Sequence, residues 1–593
     1  MLRRTVLKIL GAAAVSLPLE SRLAQAMPSR FRRRVRPGQM GWPSDAEWES
    51  LRRSVEGDLI KVEPLFAPCE RGAETAACSD LQKNLRNPFF LGDQPGGTQV
   101  SGWYRAWTPA PSAYAVKVRT AADIAVAVNF ARRHNLRLVV KGTGHSYLGT
   151  SNAPDSLLIW TRAMNQVELH GGFVPKGCDV PPVPAVSAGA GCVWIDLYHA
   201  VTTVAGRYVQ GGGCTDVGVA GLVQSGGFGS FSKGFGTAAS SLLEAEIVTA
   251  DGLVRVCNAR LNPDLFWAIK GGGGGSWGVV TRVTLRTHDL PEFFGGAWGI
   301  IHAKSDAAFR SLIAHFLSFY RDNLLNPHWG EQFHLFPDNR LELSFACQGL
   351  TNAEAAAAWK PFFDWVGQNP DLEVPQSLGA GAFPARHWWD VKGNSSLIPD
   401  SRPGAPPYHG WWNGDQGQVG GYINGSDSLW LPASLLWRSN KLGDALFDAS
   451  RFKEIALHCN KGIAGAPEAA RKAALETATN PAVVEAFALA MIGGGQPSAY
   501  PGERAPDLAA AEKDAEAVGR AAARLRSCVP MAGSYVSESN YFNARWQDAY
   551  WGKNYARLAA IKARYDPGCL FFVHNGVGTE GWTRDGFERL PTL

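Results

Sequence analysis

Residues 141–149 read Lys-Gly-Thr-Gly-His-Ser-Tyr-Leu-Gly, and this glycine-rich stretch around a histidine decides how the chain is interpreted. It follows residues 136–140, whose apolar composition is typical of a buried strand. A second glycine-rich stretch, 211–236, holds ten glycines and contains Cys214. Consecutive backbone amides in such turns can bind an anion. Taken alone, each stretch could equally be a set of tight turns packed around small side chains.

The segments near these stretches alternate between strand and helix patterns. Residues 115–118 and 157–160 are predicted to be short strands, and a capping pattern predicts a helix over 120–134. Residues 244–257 are predicted to form a hairpin around an Asp-Gly turn, and a final strand is predicted at 570–573. The ordered part of the chain therefore begins as β-α-β-loop-β.

A third glycine cluster, Gly273-x-Gly275-x-x-Gly278, formally matches the fingerprint of dinucleotide-binding folds. That fingerprint requires a helix directly after the glycines, whose N-terminus binds the pyrophosphate. Residues 279–285 are instead β-branched and typical of a strand. The sequence therefore argues against a Rossmann-type NAD site, and it contains no Gly-x-x-x-x-Gly-Lys-Ser/Thr phosphate loop.

The composition is that of a folded protein with sizeable cores. Of 593 residues, 45% are hydrophobic and 19% are charged, which excludes an intrinsically disordered chain. The formal net charge is +5, of which +3 lies in residues 1–26, so the remainder gives no electrostatic reason to expect a nucleic-acid partner. The basic cluster from Arg30 to Arg36 is predicted to be a solvated arm. After the N-terminus, no apolar run is long enough to span a membrane.

The N-terminus carries the pattern of an export signal. Arg3-Arg4 opens a twin-arginine motif, a modest apolar stretch follows, and Ala24-Gln25-Ala26 offers small residues suited to cleavage. We therefore expect residues 1–26 to direct export to the periplasm or the medium. Because the twin-arginine route carries folded proteins, often with a cofactor already loaded, the signal itself hints at a bound cofactor.

The cysteines are too few for a disulfide scaffold, at ten in 593 residues. Cys69 with Cys78, and Cys178 with Cys192, are the two candidate disulfides in an oxidising compartment. Neither the cysteine spacing nor the neighbouring histidines match a zinc site, and no metal is expected.

Eight segments occur in an order that is more informative than any one of them. They are 141–149, 213–221, 248–252, 262–281, 543–547, 550–558, 561–567 and 576–580. As a set they resemble the FAD-binding domain and the closing segment of the vanillyl-alcohol oxidase superfamily, in its berberine-bridge-enzyme-like branch. The resemblance covers about 100–290 and 530–582 and is highly specific as an ordered set.

The resemblance implies an α+β fold. It combines a two-subdomain FAD-binding domain of the PCMH type with a substrate domain whose antiparallel sheet is covered by helices. The expected organisation is a signal peptide 1–26, an N-terminal extension 27–110, the FAD-binding domain 111–290, the substrate-binding domain 291–515 and a C-terminal segment 516–593 that returns to the FAD domain.

The resemblance also implies how FAD is bound. His145 is expected to bond covalently to the 8-methyl carbon of the flavin, and Cys214 stands where many relatives form a second bond to flavin carbon 6. After that cysteine the chain has Thr215-Asp216, where many relatives have Pro-Thr or Pro-Ser. The residues expected to contact FAD are Lys141, Gly142, Thr143, Gly144, His145, Ser146, Gly149, Gly213, Cys214, Val217, Gly218, Val219, Gly221, Gly226, Gly227, Gly229, Gly236, Val248 and Asn575.

The implied reaction is hydride transfer from a carbon that bears a hydroxyl or an amine, while a side-chain base takes the substrate's other proton. Glu538 is the first candidate for that base, followed by Tyr541 and Tyr147. Val219 matches a position where related oxidases carry a small residue that lets dioxygen reach the flavin, so an oxidase that releases hydrogen peroxide is expected. A dehydrogenase with another electron acceptor, and a periplasmic binding protein without turnover, are the alternatives.

The substrate is expected to be a small molecule selected by the domain 291–515. The family includes oxidases of carbohydrates, alcohols and alkaloid-like amines. The tryptophan pairs at 388–389 and 411–412 either stack on sugar or aromatic rings or pack in the core. The sequence does not indicate an oligomeric state.

Overall fold

A computed structural model describes residues 33–70, 72 and 75–591 of the chain. The predicted signal peptide, 1–26, lies outside the described residues, as do Arg30 and Arg32 of the basic cluster. No helix within the described residues is long and apolar enough to cross a membrane.

The first glycine-rich stretch begins at the carboxyl end of a parallel strand. The parallel strands are, in spatial order, Tyr114–Lys117, Ser156–Trp160 and Arg137–Lys141. Helix Ala121–Arg133 connects the first strand in the chain to the second, and the Thr120 hydroxyl caps it by accepting the Asp123 N–H at 3.2 Å. The predicted β-α-β-loop-β start is confirmed, and it places the glycine-rich loop at one edge of this sheet.

Residues 33–110, within the expected N-terminal extension, form several short helices and a strand. Strand Asp58–Lys61 pairs antiparallel with Tyr114–Lys117 and extends the first sheet. The helices of this segment are Asp45–Arg53, Ala67–Glu70, Ala76–Asn84 and Pro88–Gly92. Pro68 and Pro88 are compatible with these helices because each lies in a first turn. The Asn87 side chain, for example, caps the helix that opens with Pro88.

Only one of the two predicted disulfides forms. Cys69 and Cys78 are bonded and tie two of these helices together. Cys178 and Cys192 are both free thiols, so the second predicted pair is wrong. Strand Val183–Gly189 lies between them in the chain, and its seven residues span roughly 23 Å, which separates the two thiols.

The basic cluster is not a solvated arm where the structure describes it. Arg34 is buried, and its guanidinium carbon lies 4.5 Å from the centre of the Trp582 ring. Arg36 forms ion pairs with Asp155 at 2.8 Å and Asp585 at 2.7 Å. The prediction is wrong because the C-terminal residues fold back against this segment and cover it.

A second, antiparallel sheet contains the predicted hairpin. Its strands are, in spatial order, Val167–Phe173, Val183–Gly189, Val279–Asp289, Leu242–Val248 and Val254–Cys257, with Arg207–Val209 also paired to Val279–Asp289. The hairpin predicted within 244–257 is confirmed. The third glycine cluster runs into a strand and not into a helix, which agrees with the rejection of a Rossmann turn.

Seven antiparallel strands form the sheet of the second half of the chain. They are, in spatial order, Leu372–Pro384, Phe293–Ala303, Arg340–Gln348, Trp329–Leu335, Ile455–His458, Ala486–Gln496 and Tyr422–Pro432. The helices that pack against them are Asp306–Phe319, Asn352–Gln368, Ser439–Ser450 and Leu508–Arg526. This arrangement confirms the expected α+β fold with an antiparallel sheet covered by helices. The last of these helices, Leu508–Arg526, crosses residue 515, where the boundary between the substrate-binding domain and the C-terminal segment was predicted.

Shorter elements connect these sheets. The remaining α-helices are Trp194–Tyr198, Val219–Gln224, Ser232–Phe235, Pro263–Ile269, Glu468–Leu475, Ala482–Glu485, Trp546–Trp551 and Tyr555–Tyr565, and a two-stranded sheet joins Leu397–Pro399 to Gly410–Trp412. The helix predicted before the Asp-Pro-Gly sequence at 566–568 is confirmed as Tyr555–Tyr565.

The strand predicted after that helix does not form. The Asp566 carboxylate accepts the N–H groups of Leu570 at 2.8 Å and Phe571 at 2.9 Å. Phe571 makes only an isolated bridge to Leu138. The predicted final strand is wrong because Asp566 occupies N–H groups that a strand would offer to its neighbour. The bridge still brings the end of the chain beside the first sheet.

Candidate active site

One cavity, of about 320 Å³, lies where the glycine-rich stretches meet the seven-stranded sheet and the C-terminal segment. Its wall contains residues 141–148 of the first stretch, 273–276 of the third cluster and 571–576 of the C-terminal segment. Asp415 and Lys461 also line the cavity, and they lie in connections next to strands of the seven-stranded sheet. The cavity is therefore closed only when distant parts of the chain come together.

Most of the residues predicted for the site meet at this cavity. Those in its wall are Lys141, Gly142, Thr143, Gly144, His145, Ser146, Tyr147, Cys214, Val217, Gly218, Gly221, Glu538 and Asn575. Those not in its wall are Gly149, Gly213, Val219, Gly226, Gly227, Gly229, Gly236, Val248 and Tyr541.

For several of the predicted residues that are not in the wall, packing against neighbouring atoms explains why the position holds that residue type. A Cβ atom at Gly149, whose φ is +69°, would lie 2.4 Å from the Trp107 indole. A Cβ atom at Gly229 would lie 2.0 Å from the carbonyl oxygen of Gly211. Val219 is fully buried as the first residue of a helix. A sequence pattern alone cannot distinguish these packing needs from contact with a ligand.

Tyr541 supports the wall from behind. Its ring stacks on His574 with 3.8 Å between the ring centres, and its carbonyl accepts hydrogen bonds from His574 Nε2 at 2.8 Å and Asn575 Nδ2 at 3.1 Å. The contacts of Tyr541 therefore favour a role in holding lining residues over direct proton transfer.

The His145 imidazole and the Asp216 carboxylate form a hydrogen-bonded pair in the cavity wall. The contact joins His145 Nε2 to Asp216 Oδ2. The side chain of Asp216 is only 4% exposed, whereas that of His145 is 24% exposed. The buried carboxylate therefore holds an imidazole that faces open space.

Cys214 and Asp415 meet in the same wall. Burial and the nearby negative charge of Asp216 raise the pKa of Asp415 to about 7. The Cys214 thiol is hydrogen-bonded to Asp415, and burial with the surrounding carboxylates raises the thiol pKa well above its usual range. Asp415 Oδ2 has no hydrogen-bond partner within the described residues. Near neutral pH, the site holds a neutral thiol beside a carboxyl group that gains and loses its proton readily.

Two hydrogen bonds fix the segment that carries Asp415. The Thr215 hydroxyl donates to the Gly410 carbonyl at 2.7 Å, across 195 residues of sequence. The Trp412 indole N–H donates to the Gly213 carbonyl at 3.0 Å. No sequence signal indicated Asp415, because its position depends on these contacts between distant segments.

Glu538 lies in the wall, but its carboxylate is paired with the Lys461 ammonium. Both side chains are largely buried. Burial and nearby carboxylates raise the pKa of Tyr147 far above its usual value, so its phenol remains protonated. Lys461, like Asp415, was not predicted, since it lies in an irregular part of the substrate domain without a recognisable motif.

Lys141 anchors the start of the first glycine-rich stretch. Its Nζ donates to the carbonyls of Gln94 at 2.6 Å, Pro95 at 3.1 Å and Gly97 at 2.6 Å. Burial lowers its pKa to about 7. All three of its N–H donors are used within the protein, so Lys141 positions the loop and has no free donor for a phosphate.

The tryptophan pairs belong to the core. Trp389 and Trp411 are 3% and 5% exposed, and Tyr198 stacks on Trp389 with 3.8 Å between ring centres. None of the four tryptophans is in the cavity wall. Within the part of the chain that the structure describes, no group of His, Cys, Asp and Glu side chains is arranged to hold a metal ion.

Comparison with known proteins identifies the family. An FAD binding domain matches residues 112–258, and the family described as "Berberine and berberine like" matches 499–578. The chain is 30% identical over 582 residues to the FAD-linked oxidoreductase malF of Malbranchea aurantiaca, an alignment that covers 93% of each protein. This chain belongs to the berberine-bridge-enzyme-like family of FAD-linked oxidoreductases. The resemblance read from the ordered segments is thereby confirmed.

Solved structures agree with this FAD-linked oxidoreductase over most of its length. The VAO-type flavoprotein MtVAO615 from Myceliophthora thermophila C1 superposes with a TM-score of 0.77 at 26% identity, covering 95% of this chain and 100% of that one. The glucooligosaccharide oxidase of Acremonium strictum shares the fold, with a TM-score of 0.59 at 20% identity over 83% of this chain and 95% of its own. That oxidase carries a 6-S-cysteinyl, 8α-N1-histidyl FAD.

The cavity of this FAD-linked oxidoreductase suits the cofactor. Gln99 Oε1 and Gln224 Oε1 are buried acceptors of lining residues that have no partner within the described residues. N–H groups of an adenine or a flavin ring can satisfy such acceptors. A Cβ atom at Gly221 would meet no atom within 4 Å, so this lining position opens on free space. Because the Lys141 donors are already used, the backbone amides of the glycine-rich stretches are the groups available to hold the phosphates.

Proposed function

We propose that this FAD-linked oxidoreductase is an exported oxidase whose FAD is covalently bound by His145 and Cys214. The proposed substrate is an alcohol, a sugar or an amine. When bound, the flavin accepts a hydride from the substrate carbon and passes two electrons to dioxygen, which leaves as hydrogen peroxide.

The observation that carries this proposal is the presence of an imidazole and a thiol in one glycine-rich cavity. His145 comes from the first glycine-rich stretch and Cys214 from the second, and both are lining residues. A histidine and a cysteine are also the two attachment points of FAD in the glucooligosaccharide oxidase of Acremonium strictum. This correspondence of residue types supports double attachment here.

Asp415 is the proposed acceptor of the substrate's proton. A general base works best when its pKa is near the operating pH, and burial raises that of Asp415 to about 7. Glu538, the first choice from the sequence, is paired with the Lys461 ammonium, so its carboxylate is already engaged within the protein. The Tyr147 phenol keeps its proton and can donate a hydrogen bond to the substrate oxygen.

Anaerobic mixing with a panel of sugars, alcohols and amines tests this function. We expect one substrate class to bleach the yellow colour of the protein, and one equivalent of hydrogen peroxide to appear when air is admitted. Bleaching without peroxide, together with reduction of an artificial dye, would instead support a dehydrogenase. A colourless protein that binds a panel member without turnover would favour the binding-protein alternative.

We also propose export by the twin-arginine route, which rests on the sequence of residues 1–26. Replacing Arg3 and Arg4 with lysine is expected to retain the protein in the cytoplasm with its flavin bound, because the twin-arginine export machinery recognises the arginine pair. Immunoblots of cell fractions measure the outcome, and Arg22→Lys is the control within the same segment. Equal export of the double variant and the control would contradict the proposal.

A further inference from the structure

The pairing of His145 with Asp216 leaves one ring nitrogen of the histidine free. Nε2 is bonded to Asp216, while Nδ1 has no hydrogen-bond partner among the residues that the structure describes. Both residues line the cavity. Nδ1 is therefore the nitrogen of His145 that is available to react with a group in the cavity.

The backbone on both sides of Asp216 is fixed. The carbonyl of Thr215 accepts the N–H of Ile195 at 2.9 Å, and the carbonyl of Val217 accepts the N–H of Trp194 at 3.1 Å. Asp216 is thus held between two hydrogen bonds to the start of one helix. Because this backbone is held and the Asp216 side chain is buried, the carboxylate offers the imidazole an acceptor at a set place in the wall.

Asp415 is a second carboxyl group near Asp216 in the cavity wall. Two carboxyl groups that face each other rarely both stay ionised, and here it is Asp415 whose pKa rises to about 7, in part because of Asp216. The other ionisable groups of this wall are Lys141, Tyr147, Cys214, Lys461, Tyr535, Glu538 and His574, and Lys461 forms an ion pair with Glu538. Among the carboxyl groups of this wall, Asp216 is the one that is hydrogen-bonded to the imidazole.

We propose that Asp216 is a positioning residue for the covalent attachment of FAD to His145. It fixes the tautomer that carries its proton on Nε2, directs Nδ1 into the cavity and takes the Nε2 proton as Nδ1 reacts. A carboxylate that orients an imidazole and sets its tautomer acts in the same way in catalytic triads and in carboxylate–histidine metal sites. This inference rests on the proposed function, because it requires the His145–flavin bond.

Dioxygen is the final oxidant of the attachment step, because it reoxidises the flavin that attachment reduces. A bond forms between Nδ1 and the 8-methyl carbon of the flavin, while one C–H bond of that methyl group and the Nε2–H bond break. The electron pair of the C–H bond reduces the flavin, and the two released protons end on the reduced flavin, the one from Nε2 by way of Asp216. Dioxygen then removes two electrons and two protons as hydrogen peroxide and restores the oxidised flavin.

The rate of attachment tests the proposal. Full-length protein from a riboflavin-starved host is mixed with FAD in air, and the flavin that stays with the acid-precipitated protein is followed over time. The mass of the tryptic fragment 142–162, which carries His145, locates the bond, whether this fragment is alone or joined through FAD to the Cys214 fragment 208–233. We expect Asp216→Asn to slow attachment about ten- to hundredfold, the size of effect seen when the hydrogen-bond partner of a metal-ligating histidine is removed.

The pH dependence distinguishes proton transfer from simple support of the fold. Wild-type attachment should change little around neutral pH, whereas attachment in Asp216→Asn should accelerate as pH rises and solvent takes the proton. Asp216→Glu should recover part of the rate. Asp216→Thr, which keeps a hydroxyl but has no carboxylate to take the proton, should be as slow as Asp216→Asn. Glu454→Gln is the matched control, since Glu454 pairs with His334 at 2.6 Å away from the cavity, and it should attach FAD at the wild-type rate.

The possible results separate the role of Asp216 from the covalent attachment of FAD to His145. Equal rates and equal pH profiles in wild type, Asp216→Asn and Asp216→Thr, with the adduct present on 142–162, would overturn the role of Asp216 and leave the proposed function intact. Absence of the adduct in wild-type protein would overturn covalent attachment to His145, and the role of Asp216 with it.

Discussion

The Asp415→Asn variant is expected to lose about 10²–10⁴-fold in kcat/KM, the usual contribution of a general base, while keeping its flavin. Asparagine has nearly the shape of aspartate but cannot accept the substrate's proton. The wall around it should persist, because the hydrogen bonds that fix this segment come from Thr215 and Trp412. Anaerobic bleaching rates with the preferred substrate measure the loss directly.

The pH profile provides an independent check on Asp415. Burial raises its pKa to about 7, so the carboxyl is protonated below that value and cannot act as a base. Wild-type kcat/KM should therefore rise with pH through about 7 and then level off. The kcat/KM of the Asp415→Asn variant should be low and should not rise with pH near 7.

Glu538→Gln is the matched comparison, because it also removes one carboxylate from the same wall. We expect it to reduce kcat/KM far less than Asp415→Asn and to retain the rise with pH near 7. If the order were reversed, with the pH step lost only in Glu538→Gln, then Glu538 would be the base, as the sequence predicted.

The parts of the fold that the sequence predicted are those fixed by local rules. The helix over 120–134 has a capping box, the hairpin within 244–257 has an Asp-Gly turn, and the 279–285 strand is β-branched, so each signal lies within a few residues of the element it predicts. The cavity lining was predicted where glycine-rich loops and the histidine belong to one ordered family pattern.

The parts that were missed depend on contacts between distant segments. Asp415 reaches the cavity through bonds from its segment to Gly213 and Thr215, and no pattern near Asp415 records them. Arg34 is basic and close to the N-terminus, yet it is buried because C-terminal residues cover it. Local composition describes what a residue prefers, whereas such contacts decide what actually surrounds it.

Flavin attachment should respond unequally to the loss of His145 and of Cys214. The thiolate is the reactive form of cysteine, and burial with nearby carboxylates raises the pKa of Cys214, so little thiolate is present near neutral pH. His145 has a free ring nitrogen and a carboxylate partner. We therefore expect Cys214→Ala to retain all of its acid-stable flavin through His145, and His145→Ala to retain only a minor part.

The double variant, His145→Ala with Cys214→Ala, should release all of its FAD on denaturation, which is the largest change expected. Flavin absorbance in the acid-precipitated pellet and in the supernatant measures the bound and released fractions. Cys528→Ala is the thiol control, because Cys528 is a free cysteine that is not in the cavity wall, and it should match wild type. Acid-stable flavin in the double variant would place the attachment on another residue. Full retention in His145→Ala alone would mean that the buried thiol reacts independently of His145, with Asp415, its hydrogen-bond partner, as the group that takes the thiol proton.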